Sequence, residues 1–436
     1  MDFFLPILYA FILITIIYKW RFFHLPNIPK WWMISAFTLK ILAGIVLWFL
    51  YTHIYSDPTK SDALRYFEDA MTIKRQWFEN RDVFWSFMLG VNADVAGYSE
   101  IYDKLVGWTS GYRYGLTNDC STIIRINVLL GFISGENYQV HSMMMSWFGF
   151  VGFTALYKSL IYFYCNYPKL LFVICFLLPS VVFWSSGLLK EGPLFLALGM
   201  FCFSLSRLSI NFKNYRMYLL LLPSAFLMVF VKEYVLLSMI PAMIFIFLIR
   251  ITGQKWILAK FIVIHLVLFC VVENAHYFFV GGDFIYVIHK KQVDFYNVAM
   301  LTDAGSVIDL PPVTDALSFA INYPAAFTTT FFRPFLWEAK TWMYLIFSIE
   351  NTLYLLATIV CILYFKKPEK NQYIIFGSMF SFVLIFSSII GSCVPILGAL
   401  VRYRIVALPF LLVCLMTLID FEKLKGHLLL LISHRS

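Results

Sequence analysis

Residues 184–193 read WSSGLLKEGP and form a short polar stretch between two apolar runs. Both runs are hydrophobic enough to lie in a membrane, and Lys190 and Glu191 stand between them. Because a charged side chain beside hydrocarbon costs free energy, a Lys-Glu pair at this position indicates a functional site. The Ser-Ser-Gly before the pair and the Gly-Pro after it favour a turn. A turn at the membrane surface without further function is the alternative.

The composition of the whole chain is that of a membrane protein. Of its 436 residues, 61% are hydrophobic, 19% are aromatic and only 14% are charged, whereas soluble globular proteins carry roughly 25% charged residues. The 34 Lys and Arg residues exceed the 25 Asp and Glu residues. They lie in short clusters between apolar runs, as residues that orient a membrane protein do. We therefore expect contacts with membrane lipids and no nucleic-acid partner.

Apolar runs of about 20 residues can cross about 30 Å of hydrocarbon as helices. Their number and spacing predict an all-α polytopic membrane protein with about 11 transmembrane helices, in a single integral-membrane domain over residues 1–436. The predicted spans are 3–19, 33–54, 141–164, 170–188, 193–206, 217–231, 234–250, 257–275, 342–365, 373–391 and 404–419.

Basic residues in short connections favour the cytoplasmic side. Every basic cluster lies inside if the N-terminus is outside and the C-terminus is in the cytoplasm. Two long segments, 55–140 and 276–341, are then extracytoplasmic, and their tryptophans suit them to helices on the membrane surface. The clusters are Lys19, Arg21 and Lys30; Arg207, Lys213 and Arg216; Arg250 and Lys255; Lys366, Lys367 and Lys370; and Lys423, Lys425 and Arg435.

The segment 61–70, SDALRYFEDA, predicts a helix in the first extracytoplasmic segment. Ser61 suits the N-cap position. Asp62, Arg65 and Asp69 then fall on one face, at i, i+3 and i+7. One interpretation is a carboxylate that acts as general base, Asp62 or Asp69, held by Arg65, which we also expect to contact the substrate. A salt-bridged surface helix is the alternative.

The candidate substrate-binding residues elsewhere are charged groups at the predicted outer boundary. The planar fork of arginine suits bidentate binding of phosphate, and Lys190 can hold a phosphate that Glu191 orients. Nonspecific contact with anionic lipid is the alternative for the arginines. Lys232-Glu233 repeats the pattern of 190–191, and we interpret it as a solvated turn. The candidate substrate-binding residues are Lys190, Glu191, Arg333, Arg402 and Arg404.

The order of these elements resembles the GT-C class of integral-membrane glycosyltransferases, especially the bacterial branch that uses polyprenyl-phosphate sugars at the outer face of the inner membrane. The resemblance rests on an early span, a following outer loop with the Asp-containing helix 62–67, many spans, and Arg402-Tyr403-Arg404 before a Pro-containing last helix. It implies a polyprenyl-linked sugar donor, a lipid-linked or glycan acceptor, inversion at the sugar carbon and Asp62 as general base, with Asp69 second.

The chain departs from the commoner GT-C pattern in two places. An extra span precedes the one that leads into the loop, and the loop has no Asp-Xaa-Asp or Asp-Glu at its start. The sequence also has no HExxH spacing and no P-loop. We therefore identify no cofactor from the sequence, while a divalent cation stays compatible with the resemblance.

Three other functions remain open at this point. The turn at 184–191 and the Arg402-Tyr403-Arg404 element also resemble the outer-face polymerases of O-antigen and exopolysaccharide, which join undecaprenyl-diphosphate oligosaccharides. A membrane transporter or flippase would place polar groups near the bilayer midplane and use broken helices. A noncatalytic scaffold in cell-envelope assembly is the third alternative.

Overall fold

The computed structural model describes residues 4–54, 61–91, 99–102, 104–108, 118–278, 282–301 and 305–433. Parts of both predicted extracytoplasmic segments lie outside these ranges. Within them the chain is helical and has no strand, only the isolated bridges Val307–Ile396 and Phe365–Ile419. The all-α prediction is therefore confirmed for the described residues. These residues group into two compact units, within Met1–Leu236 and Leu237–Ser436. The single integral-membrane domain over residues 1–436 stays a prediction.

Five helices in the described part of the chain are long and apolar enough to cross a membrane. A sixth is added if Leu397–Arg404 and Leu408–Leu418, which are bent by 63°, count as one span. These helices indicate that the protein is embedded in a membrane. The larger number of about 11 spans stays a prediction. The five are Lys30–Ile54, Glu191–Ile210, Tyr215–Thr252, Trp342–Leu363 and Tyr373–Cys393.

Unit 1 is built from helices that surround a close pair in its centre. They are α1 (Phe4–Lys19), α2 (Lys30–Phe49, continued by the π-helical turn Leu50–Ile54), α3 (Asp62–Glu79), α4 (Arg81–Leu89), α5 (Ser99–Tyr102), α6 (Asp119–Gly131), α7 (Tyr138–Leu160), α8 (Pro168–Phe176), α9 (Pro179–Trp184), α10 (Glu191–Ile210) and the first part of α11 (Tyr215–Thr252).

The central pair of unit 1 is α7 and α10, whose backbones meet at two glycines. A Cβ atom at Gly152 would overlap the carbonyl group of Phe195, and one at Gly199 would overlap the carbonyl group of Gly152. Small residues allow this close approach between helices in membranes. The glycines therefore fix α10, which begins directly after Lys190, against α7.

The polar stretch 184–193 follows a broken helix. α8 ends at Phe176, α9 runs only from Pro179 to Trp184, and α10 begins at Glu191. Proline has no N–H to donate and disfavours helical geometry in the residue before it, and Leu178 is accordingly extended. The predicted span 170–188 is therefore two short helices and not one continuous helix, and its crossing of the membrane stays a prediction.

Two helix starts in unit 1 differ in how they are capped. Asn118 accepts hydrogen bonds at its side chain from the backbone N–H groups of Cys120 and Ser121, which fixes the first turn of α6. Ser61 lies at the N-cap of α3 as predicted, but its side chain makes no capping hydrogen bond. Asp62 in the first turn of α3 still favours the helix through its negative charge.

Unit 2 contains the remaining helices. They are the second part of α11, α12 (Ile257–Glu273), α13 (Phe284–Leu301), α14 (Ala316–Ile321), α15 (Tyr323–Phe332), α16 (Trp342–Leu363), α17 (Tyr373–Cys393), α18 (Leu397–Arg404), α19 (Leu408–Leu418) and α20 (Phe421–Ser433).

The last predicted span, 404–419, differs from the observed helices at its start. Arg404 ends α18, and the chain bends before α19 begins at Leu408. Pro409 lies in the first turn of α19, where a missing N–H costs nothing. Arg402 and Arg404 therefore belong to a separate short helix that precedes the apolar one.

Candidate functional site

Lys190 forms an ion pair with a residue that the sequence analysis does not single out. Its Nζ donates to Oδ2 of Asp119 over 2.5 Å. The Lys190 side chain is 11% exposed and that of Asp119 is 46% exposed, so the pair lies at the edge of the protein interior. Lys190 is the N-cap residue of α10 and Asp119 is the first residue of α6.

Glu191 pairs with a different lysine. Nζ of Lys232 donates to Oε1 of Glu191 over 3.1 Å, and both side chains are almost fully buried. Lys232 stands where α11 leaves helical geometry, with φ −157° and ψ 89°. The expectation that 190–191 acts as one Lys-Glu pair is therefore wrong, because the two side chains reach separate partners. Lys232, interpreted from the sequence as a solvated turn residue, is a buried part of this site.

The Asp119 carboxyl is held in its ionised form. Burial alone would raise its pKa, but the charge and hydrogen bond of Lys190, together with the charge of Lys232, bring the pKa below its ordinary value. A carboxylate that is half exposed and ionised can bind a cation or accept a hydrogen bond from a ligand. The Asp119–Lys190 pair thus offers an anionic and a cationic group side by side.

Cys120 and Tyr66 complete the surroundings of Lys190. Sγ of Cys120 lies 3.3 Å from the Lys190 Nζ, and the Tyr66 hydroxyl lies 3.5 Å from the same sulfur. The Lys190 ammonium also stands 5.7 Å from the centre of the Tyr66 ring. Helix α3, the start of α6 and the turn before α10 therefore meet at one lysine. We call Tyr66, Asp119, Cys120, Lys190, Glu191 and Lys232 the charge cluster.

Asp62 and Arg65, predicted as base and binding residue, lie beside the charge cluster on α3. Asp62 precedes Tyr66 by four residues, and side chains with this spacing are neighbours on a helix, about 5–6 Å apart at their Cβ atoms. Both Asp62 and Arg65 are partly exposed. The predicted base is therefore one helical turn from the ring that contacts Lys190.

Asp69, the second predicted base, has a different environment. Its carboxylate is 1% exposed and accepts hydrogen bonds from the backbone N–H groups of Val106, Gly107 and Trp108, over 2.9, 2.7 and 2.7 Å. Burial raises the pKa of Asp69, and the three hydrogen bonds oppose that rise. This geometry favours a role in holding the segment 104–108, and the catalytic role stays a prediction.

Lys40 is a buried charge that the sequence analysis misses. It lies in α2, inside a helix that is apolar enough to span a membrane, and it is 1% exposed. Its Nζ donates to the carbonyl oxygen and Oγ of Ser185 and to Oγ of Ser186. A single lysine within the apolar run 33–54 is the signal that could have identified it.

The three predicted arginines lie in unit 2, where Arg333 and Arg404 form a structural network. Arg404 is fully buried and donates from its two terminal nitrogens to the Arg333 carbonyl oxygen and to Oδ1 of Asn351, over 2.6 and 2.5 Å. Asn351 in turn donates to the Pro334 carbonyl oxygen, and Arg333 pairs with Glu338. One terminal nitrogen of Arg404 thus binds the turn at 333–338 directly, and the other binds it through Asn351. Its phosphate-binding role, like those of Arg333 and the half-buried Arg402, stays a prediction.

Comparison with known proteins identifies no relative of this chain. No protein-family model matches the chain, and comparison with curated proteins and with solved structures finds no match. Among the described residues, no three His, Cys, Asp or Glu side chains gather in a way that could hold a metal ion.

Proposed function

We propose that the chain is an integral-membrane glycosyltransferase of the bacterial inner membrane. It transfers a sugar or glycan from a polyprenyl-phosphate or polyprenyl-diphosphate carrier at the extracytoplasmic face, in the synthesis of cell-envelope polysaccharide or glycoconjugate. The observation that carries this proposal is the Asp119–Lys190 pair, in which Asp119 is half exposed, next to the Asp62 end of α3. It combines a cation for phosphate with carboxylates for proton transfer.

Each of these groups has a separate role in the proposed reaction. Asp62 accepts the proton of the acceptor hydroxyl, and the acceptor oxygen attacks the anomeric carbon. The bond between that carbon and the phosphate oxygen breaks, and Lys190 stabilises the negative charge that develops on the leaving phosphate. Asp119 keeps Lys190 charged and in place before the donor binds.

The proposed topology places the charge cluster outside the cytoplasm. With the N-terminus outside, the basic clusters of the short connections all fall on the cytoplasmic side. Helices shorter than the five long ones, such as α1 and α12, then supply additional spans toward the proposed number of about 11.

A transporter or flippase is the second candidate, and one observation favours it. Transporters place binding groups at interrupted helices near the bilayer midplane. Here α8 and α9 are interrupted at Leu178, α11 is interrupted at Lys232, and Lys40 lies inside a span. This candidate needs a charge cluster that opens to both sides of the membrane in turn.

Lipid-linked intermediates in cells that lack the gene test the proposal. We expect a polyprenyl-linked sugar or oligosaccharide to accumulate, to disappear on complementation with the wild-type gene, and to persist with Lys190→Met or Asp62→Asn. Its mass separates transfer of one sugar from polymerisation of repeat units. Absence of any such intermediate would count against transfer, and intermediates confined to the cytoplasmic leaflet would favour the flippase.

Lys74→Met is a closely matched control for Lys190→Met. Lys74 pairs with Glu136 over 2.8 Å, and its side chain is 12% exposed against 40% for the glutamate. Its ammonium stands 5.8 Å from the Phe132 ring centre. These values nearly repeat those of the Asp119–Lys190 pair, so the control removes an equivalent ion pair outside the charge cluster.

A further inference from the structure

The turn that carries Lys190 is held from helix α2 by Lys40. The Lys40 Nζ lies 2.9 Å from the Ser185 carbonyl oxygen, 2.6 Å from the Ser185 Oγ and 3.2 Å from the Ser186 Oγ. The three acceptors are neutral oxygen atoms of one short segment. Lys40 therefore hydrogen-bonds to the two residues that directly follow α9, where the polar turn begins.

The hydroxyl groups of this segment act toward Lys40 as acceptors only. The Ser185 Oγ donates its hydrogen to the Val181 carbonyl oxygen, and the Ser186 Oγ donates to that of Val182. Three acceptors need three N–H donors, and only the protonated ammonium form of lysine supplies them. The three contacts therefore match the ammonium form of Lys40, which burial among neutral acceptors disfavours.

A second helix holds the same segment. The Ser186 carbonyl oxygen accepts hydrogen bonds from Ser146 Oγ over 2.7 Å and from Ser142 Oγ over 3.3 Å, both on α7. A Cβ atom at Gly44 of α2 would overlap that carbonyl group. The Ser185-Ser186 segment is thus fixed by α2 and α7 together, four residues before Lys190.

The residues between this fixed segment and Lys190 leave little freedom. Leu188 and Leu189 are fully buried, and the Leu189 N–H donates to the Gly187 carbonyl oxygen. After the turn, the Leu194 N–H donates to the Lys190 carbonyl oxygen and begins α10. A displacement of Ser186 must therefore move the backbone of Lys190.

We propose that Lys40 is a positioning residue: its ammonium group fixes Ser185 and Ser186 and thereby holds Lys190 beside Asp119 and Cys120. The effect of this positioning on catalysis rests on the proposed transfer function. The dependence of the Lys190 position on Lys40 does not rest on that function, because it concerns only contacts within unit 1.

The reactivity of Cys120 reports the position of Lys190. Burial raises the pKa of the Cys120 thiol, as does the Asp119 charge, whereas the Lys190 charge and the hydrogen bonds with Tyr66 and Lys190 oppose that rise. If the ammonium moves away, the apparent thiol pKa rises, and less thiolate reacts at neutral pH. Greater exposure of the thiol would instead raise the limiting rate at high pH, so the pH profile separates the two effects.

The test measures alkylation of full-length protein in lipid nanodiscs by N-ethylmaleimide against pH, using mass spectrometry of the peptide that contains Cys120. We expect Lys190→Met and Lys40→Met both to raise the apparent pKa of Cys120 and to slow alkylation at pH 7 by at least about threefold. Lys30→Met changes an exposed lysine at the start of the same helix and leaves the profile unchanged. An unchanged profile in Lys40→Met, or in Lys190→Met, overturns the proposal.

Two further variants test the route of the coupling. Ser185→Ala combined with Ser186→Ala removes two of the three acceptors, and adding Lys40→Met to this pair is expected to have little further effect. Full additivity would show that Lys40 acts by another route and would overturn the proposal. Lys40→Gln retains two donors and much of the volume, and it carries the same test if the methionine variant does not fold. Because the readout is a thiol profile, failure of the transfer function alone leaves it unaffected.

Discussion

The ammonium of Lys190 lies 2.5 Å from the carboxylate of Asp119, a residue 71 positions earlier in the chain. The pair joins the start of α6 to the start of α10, at a site that Tyr66 of α3 also contacts. A long-range, partly exposed ion pair of this kind can exchange its internal partner for a ligand, which a fully buried pair cannot do without a large desolvation cost.

Lys190→Met should abolish most activity while Lys74→Met preserves it. Removing one group that stabilises developing charge costs about 100-fold or more in rate, so the complemented cells should accumulate nearly as much lipid-linked intermediate as the deletion strain. Quantitative mass spectrometry of that intermediate makes the measurement. Equal accumulation in the two lysine variants would mean that loss of an ion pair in general, not loss of Lys190, causes the defect.

Asp62→Asn and Asp69→Asn should have opposite effects. The first removes the proposed base from a partly exposed position and should stop transfer with little change in stability. The second replaces a carboxylate that accepts three backbone N–H groups, and an amide that cannot accept all three should cost about 2–3 kcal/mol. Unfolding by SDS and accumulation of the intermediate are measured for both. A stable but inactive Asp69→Asn would instead support Asp69 as the base.

Glu191→Gln should destabilise the protein strongly. It leaves the buried Lys232 ammonium without its negative partner, which typically costs about 3–5 kcal/mol. Adding Lys232→Met to Glu191→Gln should recover much of that loss, because no unpaired charge then remains. SDS unfolding of the two single variants and the double variant gives the coupling energy. If both losses simply add, the pair does not act as a unit.

The stabilising effect of the Asp119–Lys190 pair should change with pH only in the acidic range. Burial alone would raise the pKa of Asp119, but Lys190 brings it below the ordinary value of 3.8. The contribution is therefore present above that ordinary value and is lost as the pH falls through the lower folded-state value. The stability difference between wild type and Asp119→Asn should be the same at about pH 8 and about pH 5.5 and shrink below about pH 4. A decrease already between the two higher values would show that Asp119 is not held ionised.

Arg404→Lys should destabilise unit 2 although it conserves the charge. Two nitrogens of the Arg404 fork bind two separate acceptors, the Arg333 carbonyl oxygen and the Asn351 side chain. One ammonium group cannot replace this geometry, so we expect a loss of about 2–3 kcal/mol from unpaired buried polar groups. Arg402→Lys, at a half-buried position of the same helix, is the control, and SDS unfolding compares them. Equal stability of the two variants would show that the Arg404 network contributes little.

Much of the helical architecture could be predicted, because apolar runs and proline act locally. The runs at 33–54, 193–206, 342–365 and 373–391 all correspond to observed long helices. The helix over the predicted span 170–188 is interrupted because two local rules compete: the run is mostly apolar, yet Pro179 divides it. Hydropathy measures whether a segment can be buried and does not measure whether its backbone can stay helical.

The partners of the charged residues could not be predicted in the same way. Lys190 and Glu191 were recognised as unusual because each is charged between apolar runs, but their neighbours in the sequence are not their partners. Asp119 was missed because an acidic residue in the first turn of a helix is ordinary. Arg404 was expected to face a ligand, whereas its terminal nitrogens are used within the protein.

The sequence by itself determined that this chain is helical and membrane-embedded, and it identified some of the polar residues that are costly where they stand. These properties depend on composition and spacing within about 20 residues, the length of one membrane span. Only the tertiary structure decided that Lys190 pairs with Asp119, that Glu191 pairs with Lys232 and that Lys40 donates to Ser185 and Ser186. A buried charge is stabilised by an opposite charge or an oxygen atom that the packing brings within hydrogen-bond distance. Which group this is depends on the packing of helices that are far apart in the sequence.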